Sequence, residues 1–434
     1  MLRLLFILII IVVGAFYALM SPFYGLLFYL WNAYFRPEEW LWWMNVRILH
    51  LSWLIGIYVV GRTMFSVPNP KLNLRTALLF LFLVQAAIGT ITSEHPLLSW
   101  SYLQDFVKVI IISYLIVVHV TDRARFRLTL IVIGLSLGFE CAKQGWASTI
   151  LAPGMKNDNT IAFLGDNNGV ALGTMMLVPI LGALAQTGTK WWEKYLFRFL
   201  AIGVFLRGFT TYSRGGFLAA AVLGVIVLIR SEKKFRALIG LLVVAGLVWS
   251  VMPETYWNRI NTITASDEDR DTSAAGRLHF WGVGVTMAKS KPLTGVGLNG
   301  YSASYATYDP NSSWGEYRAC HSTWFAVAAE LGVPGLVIFL ANFFLAIASC
   351  WQIARRSLIE PNQREFRIYA NALLSSLVVF AVAGSFLSSQ YSEMLWHFMA
   401  LSTALSLVAY SESTAEEPAA AVRERPVHPY AVAR

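Results

Sequence analysis

The chain has 434 residues, of which 56% are hydrophobic and 14% are charged, and its formal net charge is +9. Soluble domains carry about 25% charged residues, so this composition excludes a soluble globular protein and predicts an integral membrane protein. The basic excess is typical of loops that stay on the cytoplasmic side of a membrane, so no nucleic-acid partner is predicted. Three cysteines without a CxxC pair argue against a disulfide framework or a zinc site.

A membrane-spanning helix needs about 20 mostly apolar residues, and twelve segments of the chain are candidates. The first is interrupted at Ser21-Pro22, so it is either one broken span or two short helices, and we prefer one span. Residues 1–20 lack a convincing small-x-small cleavage site, which favours a retained helix over a signal peptide. The segments lie near residues 4–33, 43–60, 74–91, 103–119, 125–143, 168–187, 194–210, 213–230, 235–252, 331–352, 366–386 and 390–410.

Clusters of lysine and arginine decide the predicted orientation, because short cytoplasmic loops carry an excess of these residues. With every cluster inside, the twelve spans alternate correctly and both termini are cytoplasmic. The loop 253–330, with six basic and eight acidic residues, then lies outside and is the expected seat of chemistry. The predicted regions are spans one to nine (1–252), the outer loop domain (253–330), spans ten to twelve (331–410) and a disordered cytoplasmic tail (411–434).

The outer loop combines a predicted helix near residues 275–289 with turns rich in glycine and serine. Gly295-Val-Gly297-Leu-Asn-Gly300 matches GxGxxG, but a dinucleotide site needs this motif between a strand and a helix of a βαβ unit. We therefore predict that these glycines make tight turns or a close backbone approach. The acidic run 267–271 has no apolar neighbours and is more typical of a solvated loop than of a metal site. No GxxxxGK[ST] motif occurs, which argues against a P-loop ATPase.

Arg214 stands at the outer start of a predicted span, where the helix dipole and the membrane both disfavour a cation. With Ser213 before it and the open backbone N–H groups of Gly215 and Gly216 after it, Arg214 outlines a phosphate site. The alternative is an arginine that snorkels to the membrane interface.

Two further residues of the outer loop are candidates. Arg277 opens the predicted loop helix and is otherwise an ordinary exposed charge. His321 lies just before a span, where the positive end of the helix dipole keeps imidazole neutral and able to act as a general base. The alternative for His321 is a structural hydrogen bond to a backbone carbonyl.

Ionisable residues near the outer ends of other spans are candidate binding groups by default. Roles in helix packing or at the membrane interface are as probable for each. They are Lys108, Lys143 and Asp166.

These residues resemble the O-antigen ligase family over about residues 205–350. Upstream, Gly138-Phe139-Glu140-Cys141-Ala142-Lys143 and Gly165-Asp166-Asn167-Asn168 are similar to the branch found with exosortase gene clusters, described as O-glycosylation ligases. The matching elements are Ser213-Arg214-Gly215-Gly216, Gly276-Arg277 with Phe280 and Trp281, Lys291-Pro292-Leu293-Thr294-Gly295-Val296-Gly297, His321-Ser322 and Glu330-Leu331-Gly332-Val333-Pro334-Gly335.

The resemblance implies an all-α, GT-C-like polytopic protein of the bacterial inner membrane, with about twelve transmembrane helices and a large periplasmic loop that contains helices. It implies an inverting, metal-independent glycosyltransferase without a cofactor. By the resemblance, the expected donor is a glycan on undecaprenyl pyrophosphate and the expected acceptor is the lipid A–core of lipopolysaccharide. Membrane lipids are expected as further partners, and the expected oligomeric state is a monomer or a weak homo-oligomer.

By the same resemblance, Arg214 and Arg277 stabilise the pyrophosphate leaving group and His321 takes the proton from the attacking hydroxyl. Donor-side contacts are assigned to Lys108, Lys143, Asp166, Ser213, Gly215 and Tyr301. An O-antigen polymerase or a protein O-oligosaccharyltransferase would use the same donor site and stays an alternative. A flippase or other transporter is a more distant one, because transporters place charges near the membrane midplane and often contain repeats.

Overall fold

A computed structural model describes residues 2–40, 50–66, 72–231, 233–261, 272–309, 314–356 and 363–423. Within these ranges the chain forms helices and no strand, apart from an isolated bridge between Ile161 and Gly165. This confirms the all-helical prediction. The helices are α1 (Leu2–Met20), α2 (Pro22–Phe35), α3 (Pro37–Trp40), α4 (Leu51–Ser66), α5 (Leu74–Ile91), α6 (Pro96–His119), α7 (Arg123–Leu151), α8 (Asn167–Thr187), α9 (Trp191–Phe209), α10 (Arg214–Arg230), α11 (Lys234–Val251), α12 (Glu254–Asn261), α13 (Thr272–Ser290), α14 (Tyr301–Tyr308), α15 (Thr323–Arg356), α16 (Arg364–Gly384) and α17 (Glu393–Arg423).

Eight helices of the described part are long and apolar enough to cross a membrane, namely α1, α5, α6, α8, α11, α15, α16 and α17. The helix α4 is apolar but shorter. Three further predicted spans coincide with α7, α9 and α10, which are shorter or carry more charge. The chain is therefore a multi-pass membrane protein, and the number of twelve spans stays a prediction.

The first apolar segment does not form one span. Ser21 has an extended backbone (φ −152°, ψ 139°) and caps α2, which begins at Pro22. Because α1 folds back on α2, the Tyr17 and Tyr24 rings lie 5.5 Å apart, and a side chain at Gly14 would collide with Phe28. The prediction of a single span over residues 4–33 is wrong. Proline has no N–H to donate to the preceding turn and its ring clashes with that turn, so Pro22 interrupts the helix and stands in the first turn of a new one.

This hairpin also changes the predicted position of the N-terminus. Arg3 lies over the ring of Trp40 at 5.9 Å, and Arg36 is 3.8 Å from Glu393, the first residue of α17. The start of α1 and the start of α17 therefore share one end of the bundle, and α17 runs away from it as far as Arg423. Within the described residues the start of α1 and the end of α17 lie at opposite ends of the bundle, and the side of the membrane that each terminus faces stays a prediction.

The outer loop contains the predicted helix, since α13 spans Thr272–Ser290. The acidic run 267–271 lies outside the described residues. The helix α17 continues past residue 410, where the tail was predicted to begin, and residues 424–434 are also outside the described ranges.

Two glycines of the outer loop allow it to dock on the helices. Gly295 (φ 67°) packs against the backbone of Glu330 so closely that a Cβ atom would collide with it. Gly297 (φ 118°) faces Ser93 in the same way, and its N–H donates to the carbonyl oxygen of Glu330 at 3.1 Å. The predicted close backbone approach is confirmed, because only glycine adopts these angles without strain and leaves this space.

The helix α15 is two helical pieces joined at Gly332 (φ 66°, ψ −171°). The second piece begins where the sequence predicted a span, near Leu331. The first piece starts at Thr323, beside the outer loop. This break lets one continuous stretch of chain serve both the loop and the membrane bundle.

Candidate active site at the outer ends of the helices

The start of α10 is held against the start of α8. Ser213 caps α10 by accepting a hydrogen bond from Gly216 N at 3.3 Å, and its hydroxyl donates to Asn168 Oδ1 at 2.9 Å. A Cβ atom on Gly216 would lie 2.7 Å from that of Ala171, so the two helices touch through small residues. Arg214 begins α10 and is buried, with 7% of its surface exposed.

Asp166 lies at the start of α8, where its carboxylate accepts a hydrogen bond from Gly169 N at 2.8 Å. The segment before it is anchored by Arg207, a fully buried residue of α9. Arg207 donates to Gln144 Oε1 at 2.9 Å and to the carbonyl oxygen of Asn159 at 2.5 Å. Sequence reasoning missed this positioning role, although an arginine within an apolar segment was a visible signal.

The connection between α16 and α17, residues 385–392, lies between the two predicted arginines. The Cβ of Phe386 is 3.7 Å from the position of a Cβ on Gly215, next to Arg214. From the other side, the guanidinium carbon of Arg277 lies 5.8 Å from the centre of the Phe386 ring. Phe386 therefore packs against the start of α10 next to Arg214 and lies near Arg277 of α13.

The same 385–392 loop is tied to the start of α15. The Thr323 hydroxyl donates to the carbonyl oxygen of Leu387 at 2.8 Å and accepts from Ser389 N at 3.1 Å. Since His321 is two residues before Thr323, these bonds fix the histidine relative to the loop that lies between the arginines.

His321 has a left-handed backbone conformation (φ 53°) at the turn before α15. Its carbonyl oxygen accepts a hydrogen bond from Trp281 Nε1 at 3.4 Å, and its ring lies 6.2 Å from that of Phe280. Both aromatic residues belong to α13, one turn after Arg277. The docking of α13 on α15 thus brings Arg277 and His321 together.

The imidazole of His321 is biased towards its neutral form. Burial lowers its pKa below the ordinary value, and the positive charge of Arg277 lowers it further. The negative charge of Asp166 raises the pKa, whereas the positive charge of Arg318 lowers it. The predicted neutral state agrees with this direction, but its main cause is burial beside a cation, whereas the sequence argument invoked the helix dipole.

Residues 199–340 match the family model described as O-antigen ligase. Over residues 199–340 the chain belongs to the O-antigen ligase family. Residues 1–187 of this O-antigen ligase family member match a second model, described as a family of unknown function. No curated protein matches the chain. The first match contains Arg214, Arg277 and His321, whereas Asp166 falls in the second and the 385–392 loop lies outside both.

Beside this cluster, the O-antigen ligase family member has a cavity of about 650 Å³. Gly165 and Cys320, the chain neighbours of Asp166 and His321, are among its lining residues. Arg214, Arg277 and His321 are not, so the cavity adjoins the cluster and does not contain it. Other lining residues are Tyr29, Asn32, Arg36, Glu38, Tyr102, Asp105, Phe106, Lys108, Phe163, Asn299, Tyr301, Glu330, Ser388, Gln390, Tyr391 and Glu393.

Of the remaining residues predicted to contact the donor, Lys108 and Tyr301 line the cavity and Lys143 does not. Lys108 lines the cavity and pairs with Asp105 at 2.7 Å. Tyr301 also lines the cavity, and its hydroxyl donates to the carbonyl oxygen of Phe280 at 2.6 Å. Lys143 pairs with Glu140 at 2.7 Å and is not a lining residue, so it stands apart from the cavity.

Metal and thiol chemistry have no visible centre in the described part of this family member. No group of three His, Cys, Asp or Glu side chains is arranged there to hold a metal ion. Its three cysteines, Cys141, Cys320 and Cys350, are buried and free.

The residues that sequence reasoning missed lie mainly in the 385–392 loop. Its sequence, Ser-Phe-Leu-Ser-Ser-Gln-Tyr-Ser, is polar and lies between two predicted spans on the side assigned to the outer loop. Gln390 and Tyr391 hydrogen-bond to Glu330 Oε2 at 2.9 and 2.8 Å. The sequence signal for this loop was a polar stretch at the end of a predicted span. Its contact with Glu330 could not be predicted, because it depends on the tertiary structure.

Proposed function

We propose that this member of the O-antigen ligase family transfers a glycan from undecaprenyl pyrophosphate to the lipid A–core of lipopolysaccharide. The observation that carries the proposal is that Phe386 lies 5.8 Å from the Arg277 guanidinium carbon and packs beside Gly215, the chain neighbour of Arg214, with His321 close to Arg277. Two cations and a neutral base from distant parts of the chain are what displacement of a pyrophosphate requires.

The two arginines act on the leaving group. When the bond between the anomeric carbon and the pyrophosphate oxygen breaks, the electron pair stays on that oxygen and negative charge grows there. Guanidinium groups donate paired hydrogen bonds to phosphate oxygens and stabilise this charge. The backbone N–H groups at the start of α10 supply further donors next to Arg214.

His321 acts on the acceptor. The acceptor hydroxyl oxygen forms the new bond to the anomeric carbon, and its proton passes to the neutral imidazole. Since the nucleophile attacks opposite the leaving group, the anomeric configuration inverts. The pyrophosphate linkage provides the driving force, so the reaction needs neither ATP nor a metal ion in this proposal.

The proposed orientation directs the candidate site to the periplasm of a bacterial inner membrane. The outer loop, the 385–392 loop and the start of α10 meet at one end of the bundle, and the basic residues Lys190 and Lys194 follow the other end of α8. Exclusion of lysine and arginine from translocated short loops supports the assignment of that other end to the cytoplasm. A GT-C-like arrangement is part of the same proposal.

Purified protein in detergent, given glycan-bearing undecaprenyl pyrophosphate and lipid A–core with EDTA and without ATP, tests the function. A gel shift of the core is expected from wild type and from the control Arg198→Ala, whose side chain is exposed on α9. Arg214→Ala and His321→Ala are each expected to lose about a hundredfold or more of the rate.

Retention of full transfer by both variants would overturn the proposed mechanism. Glycan that lengthens on the lipid carrier without a shift of the core would instead identify a polymerase. Transfer to a protein acceptor alone would identify an O-oligosaccharyltransferase.

A further inference from the structure

We propose that the 650 Å³ cavity binds an uncharged, hydroxyl-rich sugar unit of one of the two substrates, and that it rejects a phosphorylated sugar. This inference rests on the proposed function and adds a substrate class to it. It separates the arginine cluster, which suits a pyrophosphate, from a neighbouring space that suits a neutral sugar.

The first argument is charge. The lining cations Arg36 and Lys108 are both matched by carboxylates, Glu393 at 3.8 Å and Asp105 at 2.7 Å. Two further lining residues, Glu38 and Glu330, carry carboxyl groups and no further lysine or arginine is among the described lining residues. A phosphate group in this space would meet excess negative charge without an unmatched cation, which disfavours it.

The second argument is the kind of hydrogen bond that the cavity wall can make. The oxygens Asn32 Oδ1, Ser388 Oγ and Gln390 Oε1 are buried without a hydrogen-bond partner among the described residues, and all three residues line the cavity. Each oxygen is shielded from solvent in this conformation, so a rotation of its side chain has to turn it towards a ligand. The Gln390 amide is oriented by its Nε2, which donates to Glu330, so its oxygen is an acceptor. Sugar hydroxyls donate hydrogen bonds, whereas an ionised phosphate only accepts them.

The third argument is shape. The cavity wall combines aromatic with polar side chains, as in sites that bind small organic ligands with a few oriented polar groups. A pyranose presents apolar C–H faces and polar hydroxyl edges, and so matches this wall on both counts. The aromatic lining residues are Tyr29, Tyr102, Phe106, Phe163, Tyr301 and Tyr391.

The fourth argument is position. Because Cys320 lines the cavity and His321 follows it, a sugar held there lies next to the proposed base. Gly165 puts the other side of the cavity beside Asp166. The bound unit therefore belongs either to the donor glycan or to the acceptor, and both sources share the same chemistry.

Binding without turnover tests the inference. The probes are the free glycan released from the donor by mild acid, the dephosphorylated core oligosaccharide, and the phosphorylated form of each. Saturation-transfer NMR with full-length protein in detergent is expected to detect one of the two neutral probes, in wild type and in His321→Ala alike. Gln390→Ala and Ser388→Ala are expected to weaken that binding by roughly tenfold, whereas the exposed control Gln186→Ala leaves it unchanged.

Which of the two neutral probes binds shows whether the sugar unit belongs to the donor glycan or to the acceptor. Equal or tighter binding of the phosphorylated probes would overturn the inference, as would failure of both neutral probes to bind. Binding that is insensitive to both Gln390→Ala and Ser388→Ala would also overturn it. Because His321→Ala is read out by binding, loss of the proposed transfer activity and loss of the cavity assignment are distinguishable.

Discussion

His321 lies among charges of both signs, and this decides how its chemistry depends on pH. Arg277 and Arg318 lower the pKa of the imidazole, while Asp166 raises it. In the proposed mechanism the arginines also favour an anionic leaving group, so Arg277 would act on both the base and the pyrophosphate. A general base works only in its neutral form, and activity must fall as the pH drops through its pKa.

We expect Arg277→Gln and Asp166→Asn to move the acid limb of the pH profile in opposite directions. Loss of the cation raises the pKa of His321, so the limb moves to higher pH, and kcat/KM at the plateau falls by about a hundredfold. Loss of the carboxylate lowers the pKa, so the limb moves to lower pH. The measurement is kcat/KM against pH, and shifts of the same sign in both variants would contradict the assignment of His321 as the base.

At this scale the sequence was a good guide to residue type and a poor guide to proximity. Ser213 and Arg214 were predictable because a hydroxyl followed by arginine and two glycines indicates a helix cap and an anion-binding site at a helix start. The contact between Ser213 and Asn168 was not predictable, because it joins side chains 45 positions apart. Glu330 stood within a recognised motif, yet only the tertiary structure makes it a lining residue of the cavity.

At the scale of helices, the candidate site depends on close packing of α8 and α10. The contact between Gly216 and Ala171 sets how near Arg214 comes to the start of α8. The break at Ser21-Pro22 illustrates the limit of sequence reasoning here. Proline predicted an interruption, but whether the chain continues in the same direction or folds back depends on packing between Gly14 and Phe28.

Gly216→Ala is expected to destabilise the protein, because the new Cβ would lie 2.7 Å from that of Ala171. Overpacking of this kind costs about 1–3 kcal/mol and pushes Arg214 away from its partners, so the rate of transfer falls as well. Gly182→Ala on α8 is the matched control, since nothing lies within 4 Å of its added Cβ. Thermal unfolding in detergent measures both, and equal melting temperatures would exclude the tight contact.

The outer loop is fastened to the connection between α5 and α6 by an ion pair. Lys291 Nζ lies 2.8 Å from Glu94 Oε1, which also accepts a hydrogen bond from the Tyr308 hydroxyl at 2.5 Å. Partial burial raises the pKa of the Glu94 carboxyl, but the bonds from Lys291 and Tyr308 outweigh it and hold the pKa below its ordinary value. The pair therefore stabilises the fold at neutral pH.

Lys291→Met is expected to lower the melting temperature at pH 7 by a few degrees, corresponding to about 1 kcal/mol. Since a depressed carboxylate pKa contributes stability that is lost as the pH falls through it, the difference from wild type should shrink below pH ~4.5. The exposed residue Lys289 provides the control Lys289→Met. A difference that is independent of pH would mean that Lys291 contributes only its aliphatic packing.

For the whole molecule, the main question is which end of the bundle faces the periplasm. The positive-inside rule gave one consistent answer for the helices after residue 74, because their basic clusters alternate. It gave no secure answer for the N-terminus, since Arg3 alone could not reveal that α1 and α2 form a hairpin. The twelve-span count suffered from the same ambiguity.

Single introduced cysteines test the orientation, and the native cysteines give little background because all three are buried. A membrane-impermeant maleimide that reaches the periplasm of intact cells is expected to label Thr307→Cys on α14. Lys190→Cys, between α8 and α9, should react only after lysis. Both positions are exposed. The reverse pattern would contradict a periplasmic site and the transfer reaction with it.

The hydrogen bonds of Thr323 with the 385–392 loop have a consequence for how the enzyme is made. A ribosome delivers both arginines and His321 to the membrane well before it delivers Leu387 and Ser389. A nascent chain in which α15 is already inserted thus contains every proposed catalytic side chain. It still lacks the 385–392 loop that packs beside them. If the proposed function is right, we expect the transferase to become competent only when the last two helices arrive, so that unfinished chains do not consume lipid-linked donor.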